Sequence, residues 1–245
     1  MTDRVVKATL KPAIEVAFRK ADSFNTLRTY PIPPVTTTRG MIYAALGRHT
    51  LLNQGSKPYR YSNDLGDDRA KEIVERERDF RERFEEETRI SVQAPETGIT
   101  KTDLRNRMKV GRSDDERQYK TYVAQEETII NPEYQIYIGS ESASVLETVN
   151  EALEEPERLL YLGRSDDIVC VENVDVQTVQ AATLPEDRQV FAPGSDGEEP
   201  FLLPVESDYK GTYTTRPSSS VMLSVQSEHD ECLVTEDGDY FVFFD

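Results

Sequence analysis

Residues 24–49, FNTLRTYPIPPVTTTRGMIYAALGRH, constrain this chain more tightly than any other stretch. Pro31, Pro33 and Pro34 each fix φ, and each pushes the residue before it out of the helical region. The backbone is therefore held extended between a short strand expected at residues 13–19 (AIEVAFR) and a helix expected at residues 39–46. Thr36, Thr37 and Thr38 offer hydroxyls for the N-cap. Gly40, placed in the first turn, would admit a second backbone or a ligand at close range. A helix N-terminus presents unpaired N–H groups and the positive end of its dipole. With Arg28, Arg39 and Arg48 nearby, this end of the helix is expected to cradle phosphate.

At 245 residues the chain is long enough for one good core, with or without a small appended unit. It has no apolar run near ~18 residues, so no membrane-spanning helix is expected. The first residues carry Arg4, Lys7 and Lys11 without an apolar stretch, which argues against a secretory leader and for the cytoplasm. Cys170 and Cys232 read as two reduced core thiols. The acidic runs Asp114-Asp115-Glu116 and Glu236-Asp237-Gly238-Asp239 lack calcium-loop spacing, so no metal is expected, and no cofactor fingerprint is present.

Net charge is −17, from 46 acidic and 29 basic residues, the bases mostly arginine, and there is no tryptophan. Taken alone, that balance argues against nucleic acid as a partner. It is also the composition of a halophilic protein that stays soluble in molar salt. At 1 M the Debye length is about 3 Å, so long-range repulsion of a polyanion by such a surface nearly vanishes.

Four segments follow one another. After the proline loop, residues 69–89 (RAKEIVERERDFRERFEEETR) favour a helix of mixed charge with Ile73, Phe80 and Phe84 on one narrow stripe. The surrounding charge fits a solvated face, and the stripe offers a docking edge for a partner. Charge then inverts at residues 101–112 (KTDLRNRMKVGR). There Lys101, Arg105, Arg107, Lys109 and Arg112 face only Asp103. This patch is either a helix packed on the acidic helix or an RNA-contacting extension with Leu104 and Met108 as wedges.

Residues 122–130 and 134–138 favour strands around the turn Asn131-Pro132-Glu133. Ser144 and Glu147 form a capping box for a helix at 145–154 that carries Val145, Val149 and Leu153 on one face. A last strand is expected at 168–179. Together with the N-terminal strand and helix, these complete an α+β fold with a ferredoxin-like (RRM-like) βαββαβ unit at residues 1–180, interrupted by an insertion at about 59–120. Short strands at 201–205, 221–225 and 240–244 predict a small acidic β subdomain at 181–245. The Tyr161-Leu-Gly-Arg-Ser165 turn offers backbone N–H groups and Arg164 to a phosphate. Alternatively, Asp166 and Asp167 hold Arg164.

Residues 29–47 (TYPIPPVTTTRGMIYAALG) and 161–169 (YLGRSDDIV), in that order, resemble the CRISPR-associated protein five family. These are RAMP-superfamily subunits of the type I complex called Cascade. The resemblance implies a thumb-like role for the inserted segment. It further implies a non-catalytic subunit, of a B-subtype system from a halophilic archaeon, capping the five-prime handle of CRISPR RNA. The Cascade backbone subunit and large subunit would be its neighbours. Arg19, Arg28, Tyr30, Arg39, Arg48 and Arg164 around the core, with Lys101, Arg105, Arg107 and Lys109 from the extension, are the expected RNA contacts. Some relatives cleave the CRISPR transcript without metal, which needs a base and a cation at the phosphorane. Tyr43, His49 and Lys57 are the residues here for that alternative. A third possibility is a structural adaptor that touches no RNA.

Overall fold

The computed structural model of the protein describes residues 3–20, 26–48, 53–54, 57–58, 67–112, 117–164, 166–208 and 216–244. For residues 53–54, 57–58, 67–71, 74, 107–112, 117–122, 207–208 and 216–218 it describes the backbone alone. The elements in chain order begin β1 (Arg4–Pro12), β2 (Glu15–Val16), β3 (Thr26–Leu27), α1 (Val35–Ala45), β4 (Asn53–Gln54), β5 (Lys57–Pro58) and α2 (Asp67–Glu87). Next come β6 (Arg89–Glu96), β7 (Ile99–Arg112), β8 (Arg117–Ile130), β9 (Glu133–Gly139), α3 (Ala143–Glu154) and β10 (Val169–Ala182). The chain finishes with β11 (Val190–Pro193), β12 (Glu198–Asp208), β13 (Arg216–Gln226), β14 (Cys232–Thr235) and β15 (Tyr240–Phe241).

The main sheet runs β15-β14-β10-β1-β9-β6, with antiparallel neighbours throughout. Its four neighbouring strands β10-β1-β9-β6 come from a strand–helix–strand, strand–helix–strand sequence, β1-α1-β6 and β9-α3-β10. The assignment of individual strands from sequence needs correction at three places. The first strand is Arg4–Pro12, not residues 13–19; from those, Glu15–Val16 pairs with β8 and Arg19 makes a bridge with Thr29. The second strand of the sheet is Arg89–Glu96, inside what reads as an insertion. Residues 122–130 belong to β8, which pairs along its whole length with β7 in a hairpin outside the main sheet. The basic stretch 101–112 is thus a strand and not a helix. Its alternation of Thr, Leu, Asn and Met with Lys and Arg has period 2, a signal masked by the charge.

β1 is buried on both sides. One face, carrying Val6, Ala8 and Leu10, packs with Ile42, Tyr43, Leu146, Val149 and Leu153 of the helices. α1 begins at Val35, immediately after Pro34, because a proline's missing N–H costs nothing at a helix start. Its first turn has no side-chain cap: Thr38 is fully buried and donates to the Pro34 carbonyl at 3.2 Å. α3 likewise starts without the expected box, and Ser144 lies inside the helix, 3.0 Å from the Ser142 hydroxyl. The stripe on α2 docks within the molecule: Phe80 stacks on Phe84, and both meet the Tyr43 ring edge-on, at 6.1 and 5.4 Å.

The other face is polar. It carries Lys7, Thr9, Ser91, Gln93 and Gln177, all buried. The β14–β15 hairpin curls back over it, so that Phe241 stacks flat on Tyr137 of β9 with centroids 4.1 Å apart. The Lys7 ammonium, from a side chain only 10% exposed, meets Asp237 at 3.0 Å and Asp239 at 2.5 Å. Burial alone would lower the Lys7 pKa; hydrogen bonds and charge from Asp239 and Asp237 outweigh it and raise the value. Beyond β15 the chain reaches the far edge of the sheet, where Phe244 N–H donates to the Ile90 carbonyl (3.2 Å). β11, β13 and β12 form a three-stranded sheet in that order. Gln93 ties it to β6 by bonding both the N–H (2.7 Å) and the C=O (3.0 Å) of Phe191. Cys232 is buried, whereas Cys170 is exposed, so only one thiol lies in the core. Among the described residues no helix is long and apolar enough to cross a membrane.

If the hairpin cover is what closes this face, Phe241→Ala should cost about 3–5 kcal/mol, the usual range for an aromatic lost from a core. Urea unfolding followed by circular dichroism measures it; a loss below 1 kcal/mol would mean that the cover is dispensable.

Candidate functional site

The residues expected to bind phosphate divide sharply once placed. Arg164 lies across Asp167, with Nη2 to Oδ1 at 2.6 Å and Nε to both carboxylate oxygens at 2.9 and 3.0 Å. It also reaches Glu126 at 3.3 Å and Glu15 at 3.5 Å. Arg105 enters the same cluster from β7, hydrogen-bonded to Glu15 and 3.5 Å from Glu126. Asp167, a side chain 1% exposed, accepts the Ala17 N–H at 3.1 Å as well, so it pins the loop to the chain leaving β2. The backbone demands glycine here: Gly163 has φ +97°, and a Cβ would stand 2.7 Å from the Ala17 carbonyl oxygen. Of the two sequence expectations for Arg164, retention by its neighbouring carboxylates is the one the geometry shows. Asp167 is the principal partner, and Asp166 lies farther away at 3.8 Å.

Burial would raise the pKa of Glu15, but hydrogen bonds from Arg105 and Thr128 and the charge of Arg164 take it below the usual carboxylate value. Arg164, partly desolvated, is held still more firmly protonated by Asp167 and Glu126. Five charged side chains from β2, β7, β8 and the 161–167 turn thus fasten the hairpin to the body of the protein.

Other expected contacts are also engaged. Arg39 Nη1 donates to the Val205 carbonyl on β12 at 2.9 Å. At the start of α1 Val35 and Thr38 are buried, Thr36, Thr37 and Arg39 are half-buried, and Gly40 is exposed with nothing within 4 Å of the position a Cβ would take. Arg48 lies 3.9 Å above the Phe80 ring and 3.6 Å from Glu77, which is 1% exposed. Lys101 pairs with Asp103 at 2.7 Å. Tyr43 is 2% exposed and its hydroxyl donates to Glu85 at 3.3 Å, while the Arg81 guanidinium covers its ring at 4.9 Å. His49 and the side chains of Lys57, Arg107 and Lys109 lie outside the described residues.

What remains open is a short ribbon. Lys20 N–H donates to the Arg28 carbonyl (2.9 Å) and Tyr30 N–H to the Phe18 carbonyl (2.8 Å), with Arg19 opposite Thr29. Thr29 fixes the ribbon. Its hydroxyl accepts the Phe18 N–H at 2.8 Å, and its N–H donates to Glu127 at 3.1 Å. Arg19 and Arg28 are exposed, and neither has a carboxylate partner among the described residues. Lys20 also lacks one; its ammonium lies 5.3 Å from the centre of the Tyr30 ring and 6.0 Å from that of Phe201. Lys20 and Phe201 were not singled out from sequence. The Arg19-Lys20 dipeptide was the available signal for the first. Phe201 is 171 positions from Tyr30 and gave none.

These elements define a mixed α+β protein: a helix-backed antiparallel sheet, a long hairpin clamped to it by carboxylates, and a cationic ribbon beside aromatic rings, without carboxylate partners among the described residues. A model of the family described as "CRISPR-associated protein (Cas_Cas5)" matches residues 14–218, and the chain belongs to that family. Its fold is similar to that of a chain described as "CRISPR RNA-guided surveillance complex", with a TM-score of 0.52, 15% identity, and 94% and 92% of the two chains covered. A structure described as "Crystal structure of Cas protein" gives a TM-score of 0.44 at 15% identity, covering 92% and 93%. A CRISPR protein from Archaeoglobus fulgidus gives 0.44 at 11%, covering 94% and 90%. No curated protein matches the sequence.

Replacing Arg164 by Ala removes the cation from nearly buried Asp167 and one of the two cations at Glu126, and should cost about 3 kcal/mol of stability, the scale for breaking a buried ion pair. The Glu15 contribution has a defined pH sense. Its folded-state pKa lies below the ordinary value of 4.5, so the contribution is full above that value and is lost as pH falls through the lower one. The stability gap between the wild type and Glu15→Gln should therefore shrink between pH 5 and 3. A gap independent of pH in urea titrations would show that the pair contributes nothing.

Proposed function

We propose that this chain is a non-catalytic RNA-binding subunit of a type I CRISPR interference complex of the B subtype, capping the five-prime handle of the guide RNA. The single observation that carries this is the ribbon of Arg19, Lys20 and Arg28. It is three adjacent cations without carboxylate partners among the described residues, in a protein of net charge −17. In so acidic a chain, cations left unpaired beside an aromatic ring are the groups a single-stranded polyanion recognises, through phosphate contacts and stacking. Family membership supports the CRISPR assignment, and the similar fold of a chain from an RNA-guided surveillance complex supports the setting.

The strand order β10-β1-β9-β6, with α1 and α3 on one face, supports a ferredoxin-like unit as the body. In this reading the β7–β8 hairpin is the thumb-like element, and it carries Lys101, Arg107 and Lys109 toward RNA. Arg39, Arg48, Arg105 and Arg164 hold the scaffold. The backbone and large subunits of the complex are the protein neighbours. The endoribonuclease alternative is disfavoured by Tyr43, whose buried hydroxyl is committed to Glu85.

The test is to recover the tagged chain with its RNA from cells carrying the CRISPR locus, in high salt. Short RNAs sharing one repeat-derived five-prime end are expected. The double variant Arg19→Glu, Arg28→Glu alters only exposed side chains and should lose at least tenfold of that RNA while folding normally. With single-stranded RNA, neutralising both arginines should make the salt dependence of log K shallower by ~1.4, two contacts at about 0.7 each. Unchanged RNA recovery and slope would instead favour an adaptor without RNA contact. Cleavage of repeat RNA by the isolated protein in EDTA would favour the nuclease.

A further inference from the structure

Lys20 is an unusual partner for two aromatic rings. Where a cation covers a ring elsewhere in this protein, it is fixed from another side: Arg48 above Phe80 is also 3.6 Å from buried Glu77. Lys20 has only the rings. Its backbone is anchored to Arg28, but its ammonium ends a flexible four-carbon stem and has no carboxylate within reach among the described residues. The two rings stand 6.3 Å apart between centroids and tilted by 45°, which leaves a V whose walls are both half-buried. The Lys20 ammonium, 5.3 and 6.0 Å from the two centres, covers both walls. Phe201 is braced from behind by Phe191, edge-on at 6.0 Å, so this wall of the V is rigid.

We propose that the Tyr30–Phe201 V is a stacking site for one unpaired nucleobase and that Lys20 is its displaceable cover. The proposal rests on the RNA-binding reading above and deepens it by naming where a base sits. A base entering the V lies flat on one ring in the offset stack that aromatic quadrupoles favour, and meets the other at the 45° tilt between the rings. Face stacking of a base gains more than a partly hydrated ammonium loses on leaving a ring. The freed ammonium stays within reach of the phosphate of the same nucleotide, where Arg28 and Arg19 already supply charge. The same lysine therefore guards the rings in the free protein and clamps the backbone in the complex. Because stacking is not screened, this contact persists in molar salt while the phosphate contacts fade.

The experiment compares binding of octauridylate with that of an abasic chain of the same length, using the full protein at low and high salt. In the wild type, octauridylate should bind about tenfold tighter than the abasic chain at high salt, or ~1.4 kcal/mol. Phe201→Leu, which keeps an apolar group against Phe191, should remove that preference and leave abasic binding unchanged. Lys20→Met should make the salt slope shallower by ~0.7, one phosphate contact, while octauridylate binds at least as tightly as to the wild type at high salt, because the cover is gone. An octamer with 5-iodouridine should photo-crosslink at Tyr30 or Phe201.

Equal binding of both chains by the wild type, or crosslinks only elsewhere, would overturn the stacking site while leaving RNA binding intact. Weaker octauridylate binding by Lys20→Met at high salt would overturn the role of cover. Failure of the wild type to bind either chain would overturn the RNA reading itself, and the stacking site with it.

Discussion

The Lys7 ammonium and its two carboxylates, Asp237 and Asp239, are the interaction on which the rest of this structure turns. β1 is the central strand and is buried on both faces, yet α1 and α3 cover only one. The second face carries a lysine, a threonine and two glutamines beside a small apolar cluster of Val5, Tyr137 and Val179, so a purely apolar cover could not close it. Leaving an ammonium there without a partner would cost several kcal/mol. The chain meets this by bringing its last turn, from Thr235 to Asp239, over the sheet. Phe241 is then set down on Tyr137, and the residues that follow it reach the far edge at Ile90. The order of the outer strands and the return of the C-terminal segment both follow from that requirement.

Charge is partitioned by position rather than by abundance. Acidic residues outnumber basic ones, 46 to 29, and most of the cations expected at a phosphate are consumed in holding the protein together. Arg105 and Arg164 neutralise Glu15, Glu126 and Asp167, Arg48 neutralises Glu77, and Arg39 satisfies a carbonyl of β12. The clamp at Glu15 is what orients the β7–β8 hairpin, so Arg105 and Arg164 act by positioning that element. In the ribbon at Arg19, Lys20 and Arg28, the Thr29 hydroxyl bonds the backbone of Phe18 and Tyr30 and its backbone N–H takes Glu127, and the three cations meet no carboxylate among the described residues. A net charge of −17 is therefore a poor guide to this surface; which carboxylate each cation can reach decides it.

The sequence by itself determined the local elements whose signals lie within a few residues. These are the helix after the three prolines, although it starts at Val35 rather than at residue 39, the mixed-charge helix with its Phe80–Phe84 stripe, the helix and strand that flank Tyr161–Asp167, and the family motifs. It also limited Arg164 to two roles, since Asp167 stands three residues away. Only the tertiary structure decided which strands are neighbours. Arg89–Glu96 follows a helix with no turn signal of its own, and the β7 alternation is hidden under charge. Pairing energies between distant strands, not local propensity, choose the register. The same holds for the V at Tyr30: a ring 171 positions away, a lysine with no anion near it and a braced wall meet only once the sheets have closed. No spacing rule along a chain encodes a contact that depends on where two separate sheets come to rest.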